Sequence, residues 1–224
     1  MKTLKDMDLK GKKVLVRVDF NVPLKGGQVA DDERIRAALP TINYLLDQNC
    51  SMTLMSHLGR PKGKVARELS LEPVAQRLAG LLGRNLEVRA VQQVDKKFFL
   101  TPEKDKPPHQ IFGGEGKPEP EISLLENLRF WPEEEAGDAG FAKSLALLGD
   151  VFVQEAFACC HRAHASIMIP AFKKDMPACA GFLLEKEVKF LKRLLTRPKK
   201  PFVVIIGGKK VETNSDNYLT LHFT

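Results

Sequence analysis

Arginine and histidine, with one acid and one amide, recur in this sequence just where short apolar runs stop. Asp19 and Asn21 close the run that begins at Val14, and His57 and Arg60 follow Ser51-Met52-Thr53-Leu54-Met55-Ser56. Arg129 follows Leu124-Leu125-Glu126-Asn127-Leu128, and His161-Arg162-Ala163-His164 comes a few residues after Val151-Phe152-Val153. An arginine can grip a carboxylate or phosphate bidentately, and a histidine beside it adds a donor. Several cations with one carboxylate and one amide suit a small polyanion. In Ser56-His57-Leu58-Gly59-Arg60-Pro61-Lys62-Gly63, Gly59 permits a tight turn and Pro61 fixes the exit, which presents Arg60. The same residues also serve a turn that binds nothing. Arg17 sits inside the alternation of its strand and is read as structural, paired with an acid.

Groups so scattered meet only if the runs are parallel strands, because an open α/β sheet gathers ligands beyond the carboxyl ends of its strands. Strands are predicted at Val14, Thr53, Val88, Leu124, Val151 and Val203, the last covering residues 202–206. Between them, Asp31-Asp32 caps a helix through Ile35, Leu39, Ile42 and Leu45, with Arg34 in its first turn and a kink at Pro40. Ser70 caps a second helix with Pro73 in its opening turn, and further helices span residues 138–148 and 183–195. Residues 101–120 are rich in Pro, Lys and Gly and read as a surface loop. The alternation predicts an α/β fold, a Rossmann-like three-layer parallel sheet with helices on both faces.

Composition narrows the classes. A chain of 224 residues with 43% apolar content makes one large domain or one and a half. A formal charge of +7 favours anionic ligands, but the 35 basic residues are dispersed, and no RNP-like strand, zinc-finger spacing or basic zipper argues for nucleic acid. The N-terminus has no apolar h-region and no window is long and apolar enough to span a membrane, so a cytoplasmic protein is expected. Cys50, Cys159, Cys160 and Cys179 read as free thiols. Cys159-Cys160-His161 with His164 resembles a metal-ligand tract, but adjacent cysteines fit one tetrahedral ion poorly and no second cluster completes it, so no metal site is expected.

Five segments taken together carry a family resemblance: Arg17-Val18-Asp19-Phe20-Asn21-Val22-Pro23, Asp31-Asp32-Glu33-Arg34-Ile35, residues 56–63, Leu124-Leu125-Glu126-Asn127-Leu128-Arg129-Phe130, and His161-Arg162-Ala163-His164-Ala165-Ser166. In order and spacing, from about Lys5 to Val211, the chain resembles phosphoglycerate kinase. The resemblance implies reversible phosphoryl transfer between 1,3-bisphosphoglycerate and ADP in glycolysis. It also implies two α/β domains, one for 3-phosphoglycerate and one for magnesium-bound ATP or ADP, united by hinge closure. Residues 1–182 then form the substrate-binding domain, 183–200 the interdomain helix and hinge, and 201–224 the start of the nucleotide domain with a divergent tail. The implied substrate contacts are Asp19, Phe20, Asn21, Arg34, His57, Leu58, Gly59, Arg60, Arg129 and Arg162. Arg34 is the implied catalytic residue and Lys210 the one nucleotide contact. Phosphoryl transfer asks mainly for alignment and charge neutralisation, and an acyl phosphate or carboxylate is already ionised, so no general base is needed. Partners are 3-phosphoglycerate and 1,3-bisphosphoglycerate, with no nucleic acid and no membrane. A monomer is expected unless another chain supplies the missing half.

Departures from the family pattern are local. Gln154-Glu155-Ala156-Phe157-Ala158-Cys159-Cys160 stands where the family has Asn-Asp-Ala-Phe-Gly-Thr-Ala. If the glycine had positive φ, Ala158 is strained there and Arg162 displaced. Lys209 replaces an alanine, Asn214 replaces a second lysine, and residues 212–224 look unrelated to the family, as truncation, frameshift or alternative splicing leaves a chain. The alternative reading is a non-catalytic anion-binding module that binds 3-phosphoglycerate only.

Overall fold

Lys13-Val14-Leu15-Val16-Arg17 forms strand β1 (Lys13–Arg17), in which every residue after Lys13 is buried. Burial on both faces is what a central strand of a covered parallel sheet requires. The structure, a computed structural model, describes residues 1–84, 87–94, 97–102, 121–196, 198 and 202. A small antiparallel hairpin, β2 (Leu24–Lys25) and β3 (Gln28–Val29), leads into α1 (Glu33–Asp47) and then β4 (Ser51–Met55). After these come α2 (Glu72–Leu82), β5 (Glu87–Val94), β6 (Lys97–Pro102), β7 (Ile122–Leu125), α3 (Pro132–Ala136), α4 (Ala139–Ala146), β8 (Val151–Gln154), α5 (Ile169–Phe172), β9 (Ala178–Ala180) and α6 (Phe182–Thr196). The main sheet is 7-stranded, in the order β6-β5-β7-β4-β1-β8-β9, and every pairing in it is parallel except β5 with β6.

Period-two alternation sends side chains to two separate cores. Val14, Val16, Met52, Leu54, Ile122, Leu124, Val151 and Val153 pack with Ile35, Ala38, Ile42 and Leu45 of α1 and with Val74, Ala75 and Leu78 of α2. Leu15, Met55, Leu125 and Phe152 pack with Phe141, Ala142, Leu145 and Ala146 of α4 and Ile169 of α5. Helices therefore cover both faces, and each fully buried aliphatic or aromatic side chain contributes about 1.5–3 kcal/mol. Two compact units divide the chain, Met1–Val188 and Lys189–Thr224, and α6 runs across their boundary.

Helix starts follow local chemistry with small shifts from the sequence expectation. The Asp32 side chain makes no cap bond; instead Asp31 Oδ1 accepts from Glu33 N–H at 2.9 Å. Asp32 is taken by Arg36 of its own helix at 2.8 Å and Arg77 of α2 at 2.6 Å, and these hydrogen bonds hold its carboxyl below the usual range. Pro40 lies inside α1 without ending it, on the exposed side where an unmatched carbonyl can meet water. Ser70 stands one residue before the N-cap of α2, accepts from Glu72 N–H at 3.2 Å, and Pro73 occupies the first turn. Asp138 caps α4 by accepting from Phe141 N–H at 2.7 Å.

Other expectations are corrected. β6 is an antiparallel strand where the sequence showed only the start of a loop, so Thr101 and Pro102 belong to the sheet. The strand expected through Leu128 stops at Leu125 because Glu126 and Asn127 turn their polar groups inward to backbone partners. Ala158 lies in a 3-10 turn over Phe157–Cys159 and is not among the residues with positive φ, so the expected strain is absent there. Residues 103–120, the expected strand at 203–206 and the tail 212–224 lie outside the described residues.

The start of α6 rests on a buried carboxyl. Glu155, 1% exposed, accepts from Leu183 N–H at 3.2 Å, while Phe182 N–H is bonded to Thr41 Oγ1 at 2.9 Å. Gly181 makes the approach possible, since a Cβ there would stand 2.0 Å from Glu155 Oε2. Burial pushes the Glu155 carboxyl up from 4.5 to about 7, against the opposing hydrogen bonds of Thr41, Leu183 and Leu184. A carboxyl with a raised folded-state value stabilises the fold below its unfolded value, and the contribution is lost as pH rises through about 7. The loss is on the order of 3 kcal/mol. Urea unfolding of the wild type and Glu155→Gln at pH 5 and pH 8 checks this: the wild type should lose stability relative to the variant at the higher pH. A difference that does not change with pH refutes it.

Candidate functional site

Strands β7, β4, β1 and β8 are adjacent and parallel, so the segments that leave their carboxyl ends emerge side by side. After β1, Val18 N–H bonds Met55 O at 3.0 Å and Phe20 N–H bonds Ser56 Oγ at 2.9 Å, tying that segment to the one after β4. Asn21 Oδ1 then accepts from Gly59 N–H at 2.9 Å. After β7, Asn127 clasps the same loop: its amide donates to Leu58 O at 2.7 Å and Leu69 O at 2.9 Å, and its Oδ1 accepts from Leu58 N–H at 3.2 Å and Arg129 N–H at 3.1 Å. Glu126 receives Leu71 N–H at 2.8 Å and Ser70 Oγ at 2.7 Å. Gly59 has φ +60, a left-handed backbone that favours glycine, and a Cβ on it would also press on the Leu69 side chain.

Beneath these loops lies a charged hub. Arg17 and Glu134 are both fully buried and 3.9 Å apart, bridged by Ser166, whose Oγ accepts from Arg17 Nε at 2.8 Å and donates to Glu134 Oε1 at 2.6 Å. Glu134 Oε2 also accepts from Ser166 N–H at 2.9 Å. Arg17 is thus paired with an acid, as its strand position suggested. Sequence reasoning did not single out Glu134, Ser166 or Asn127. Glu134 stands in the run Glu133-Glu134-Glu135, where nothing local marks the inward member, whereas Asn127 between an apolar strand and Arg129 is a place to look.

Around the hub, the candidate residues separate into two groups. Arg34 is ion-paired with Asp19 and about half exposed, while Arg129, 8% exposed, donates from Nη1 to Gly59 O at 2.8 Å and has Nε 3.4 Å from Glu135. His57 is buried, and burial followed by the charges of Arg17, Arg129, His164 and Arg34 drives it down to about 2, so it is neutral across the physiological range. Burial, with Arg17 and Arg162 acting in the same sense against Glu135 and Cys159, also lowers Arg129. Arg17, Arg34, Arg129 and His57 therefore share one electrostatic neighbourhood, and Arg162 reaches it through Arg129. Arg60 is exposed beside Gly59, whose N–H and C=O are bonded to Asn21 and Arg129 respectively. Phe20 and Leu58 have side chains in the core, so their place in a site is through backbone. His161 is exposed; His164 is buried, with Nδ1 3.8 Å from Glu134 Oε1, and burial lowers it. Lys210 lies outside the described residues.

Donor atoms of Asp19, His57 and Cys159 lie within 4.8 Å of one another. Arg17 Nη2 is 3.3 Å from His57 Nδ1 and 4.0 Å from Cys159 Sγ, and Asp19 is bound to Arg34. Two guanidinium groups already address these atoms, which suits an anion better than a cation. All four cysteines are free. Among the described residues no helix is long and apolar enough to cross a membrane.

The sequence model of the phosphoglycerate kinase family matches residues 4–217. The phosphoglycerate kinase of Moorella thermoacetica is 54% identical over 209 residues, covering 93% of this chain and 49% of its own length. That of Thermomicrobium roseum is 47% identical over 211 residues, covering 94% and 50%. The structure of phosphoglycerate kinase from Coxiella burnetii superposes with a TM-score of 0.74 at 38% identity, over 95% of this chain and 49% of that one. The enzyme from Pyrococcus horikoshii gives 0.73 at 30% identity, over 95% and 50%. The chain spans about half the length of the curated relatives it matches.

Asn127→Ala removes four hydrogen bonds and strands buried backbone groups of Leu58, Leu69 and Arg129. Urea unfolding is expected to show a loss of about 2–4 kcal/mol. An effect within about 0.5 kcal/mol, the range of ordinary surface changes, refutes the clasp.

Proposed function

Because the chain belongs to the phosphoglycerate kinase family, we propose that its cluster of cationic side chains binds the three-carbon acid 3-phosphoglycerate and its acyl phosphate, 1,3-bisphosphoglycerate. The observation that supports this reading is that Arg34 and Arg129 act on buried His57, and Arg162 on Arg129, beside the ends of adjacent parallel strands; Asp19 is paired with Arg34, and Arg60 follows the Gly59 that Asn21 and Arg129 bind. Asp19 and Asn21 take the hydroxy acid, and His57, Arg60, Arg129 and Arg162 surround the substrate phosphate. Asn21 already orients its amide by accepting from Gly59. Arg129 is preorganised by Gly59 O and Glu135, whereas Arg60 and Arg162 are exposed and able to close on the ligand.

Arg34 is the catalytic candidate. Its guanidinium is half exposed and tethered by Asp19, so it can leave that partner for the charge that develops on a transferring phosphoryl group. The reaction is the family's reversible transfer between 1,3-bisphosphoglycerate and ADP in glycolysis. A magnesium-bound nucleotide would supply the phosphoryl donor, as ATP, or the acceptor, as ADP. Among the described residues the site does not fit that group: it offers cations for a small acid, and Asp19 is already ion-paired. Residues 1–182 are assigned to substrate binding, 183–200 to the hinge, and 201–224, with Lys210, to the beginning of the nucleotide domain. The four free thiols support a cytoplasmic setting. A monomer is assigned.

Binding is favoured over turnover for the 224 residues assayed by themselves, because they span half of their relatives' length. Calorimetric titration should show a 3-phosphoglycerate site that Arg60→Ala weakens by roughly 1–3 kcal/mol, the scale of a charge-assisted contact. An unchanged dissociation constant in that variant removes Arg60 from the site. Incubation with magnesium, ATP and 3-phosphoglycerate should give no appreciable turnover; robust turnover lost in Arg34→Ala overturns the assignment of binding alone.

A further inference from the structure

We propose that Arg17 is a positioning residue: it holds His57 in the tautomer with its proton on Nε2, so that the ring meets the bound anion as a neutral hydrogen-bond donor. The ligand in this statement rests on the 3-phosphoglycerate reading; the tautomer does not. Arg17 Nη2 lies 3.3 Å from His57 Nδ1, and both side chains are buried. A guanidinium carries donors only, so Nδ1 must present its lone pair to it, and a neutral imidazole then has only Nε2 for its proton. A second proton on Nδ1 would set one N–H against another.

Arg17 has little freedom to turn away. Its Nε donates to Ser166 Oγ at 2.8 Å and its Nη1 to Val18 O at 2.5 Å, while Glu134 stands 3.9 Å from Nη2. Rotating the fork strips these contacts in a site without exposed surface. The cations around the ring act in the same sense. Arg34 comes from α1, Arg129 from the turn after β7 and His164 from the segment before α5, while Asp19 and Cys159 bring donor atoms within 4.8 Å of the cluster. Asp19 is the acid of that cluster and is engaged by Arg34, and Glu134 is engaged by Arg17 and Ser166. A charged imidazolium would add a further cation to the cluster, whereas an Nε2–H donor held by Arg17 keeps its form as pH changes. Lysine cannot substitute, because a point charge on a flexible stem lacks the planar fork that reaches Ser166, Val18 and His57 together.

Long-range proton–nitrogen NMR of the full chain labelled with 15N-histidine tests this without ligand. His57 is expected to show an unprotonated Nδ1 and a protonated Nε2, unchanged from roughly pH 5 to 8. In Arg17→Lys, which keeps a charge near Glu134, both nitrogens should move towards tautomer-averaged positions, and 3-phosphoglycerate binding should weaken about tenfold. A protonated Nδ1 in the wild type overturns the proposal, and so does an unaltered His57 pattern in folded Arg17→Lys. Should Arg17→Lys fail to fold, Arg17→Met combined with Glu134→Gln removes both buried charges and gives the same readout. The expected tautomer in a wild-type chain that does not bind 3-phosphoglycerate supports the positioning role and refutes the ligand.

Discussion

The ion pair between Arg17 and Glu134 is the constraint on which the rest of the site depends. Two opposite charges with no exposed surface survive only when every remaining donor and acceptor is matched, since unpaired burial is far more costly than the pair is favourable. Ser166 supplies the match by accepting from one partner and donating to the other, and its own N–H completes Glu134. Through these few atoms β1, α3 and the segment before α5 are locked in register. Ala165 N–H adds a backbone bond to Glu134 O at 2.9 Å, so the lock does not rest on side chains alone.

Above that lock, buried polar residues do what a hydrophobic core cannot: they fix loops. Apolar contacts are non-directional and tolerate sliding, whereas Asn127 specifies four particular backbone partners. The turn bearing Gly59 and Arg60 is thereby held against the turn bearing Arg129. Arg129 then donates to the carbonyl of the same Gly59 whose N–H holds Asn21. Three loops from three strands behave as one surface, which is the preorganisation a small anion needs.

The cations on that surface are unequal. Arg17 is spent on structure, Arg129 is largely buried and oriented, and Arg60, Arg162 and Arg34 stand in solvent reach. Rigid donors below and movable ones at the rim suit a ligand that must enter, be gripped and leave. His57 adds a neutral donor among charges that would otherwise repel one another more strongly.

The layered parallel sheet was legible in the sequence because the apolar runs at Val14, Met52, Leu124 and Val151 are short and continuous and alternate with helical periods, and periodicity is a local property. The family, too, was legible, through five motifs kept in order. β6 was not, because the segment carries Pro102 and leads into a stretch without a period, and an antiparallel edge strand has no signature apart from its partner. Strand ends told which residues could meet, so Asp19, Asn21, His57, Arg60 and Arg129 were named from their positions alone. Their states were decided only in three dimensions. That Phe20 and Leu58 face the core, that His164 turns to Glu134 rather than outward, and that Ala158 needs no left-handed backbone all depend on what packs beside them. Sequence lists the charges and the strand ends that carry them. Burial, which sets whether a carboxyl such as Glu155 or a ring such as His57 keeps its charge, arises from contacts between segments far apart in the chain, and only the folded structure brings those together.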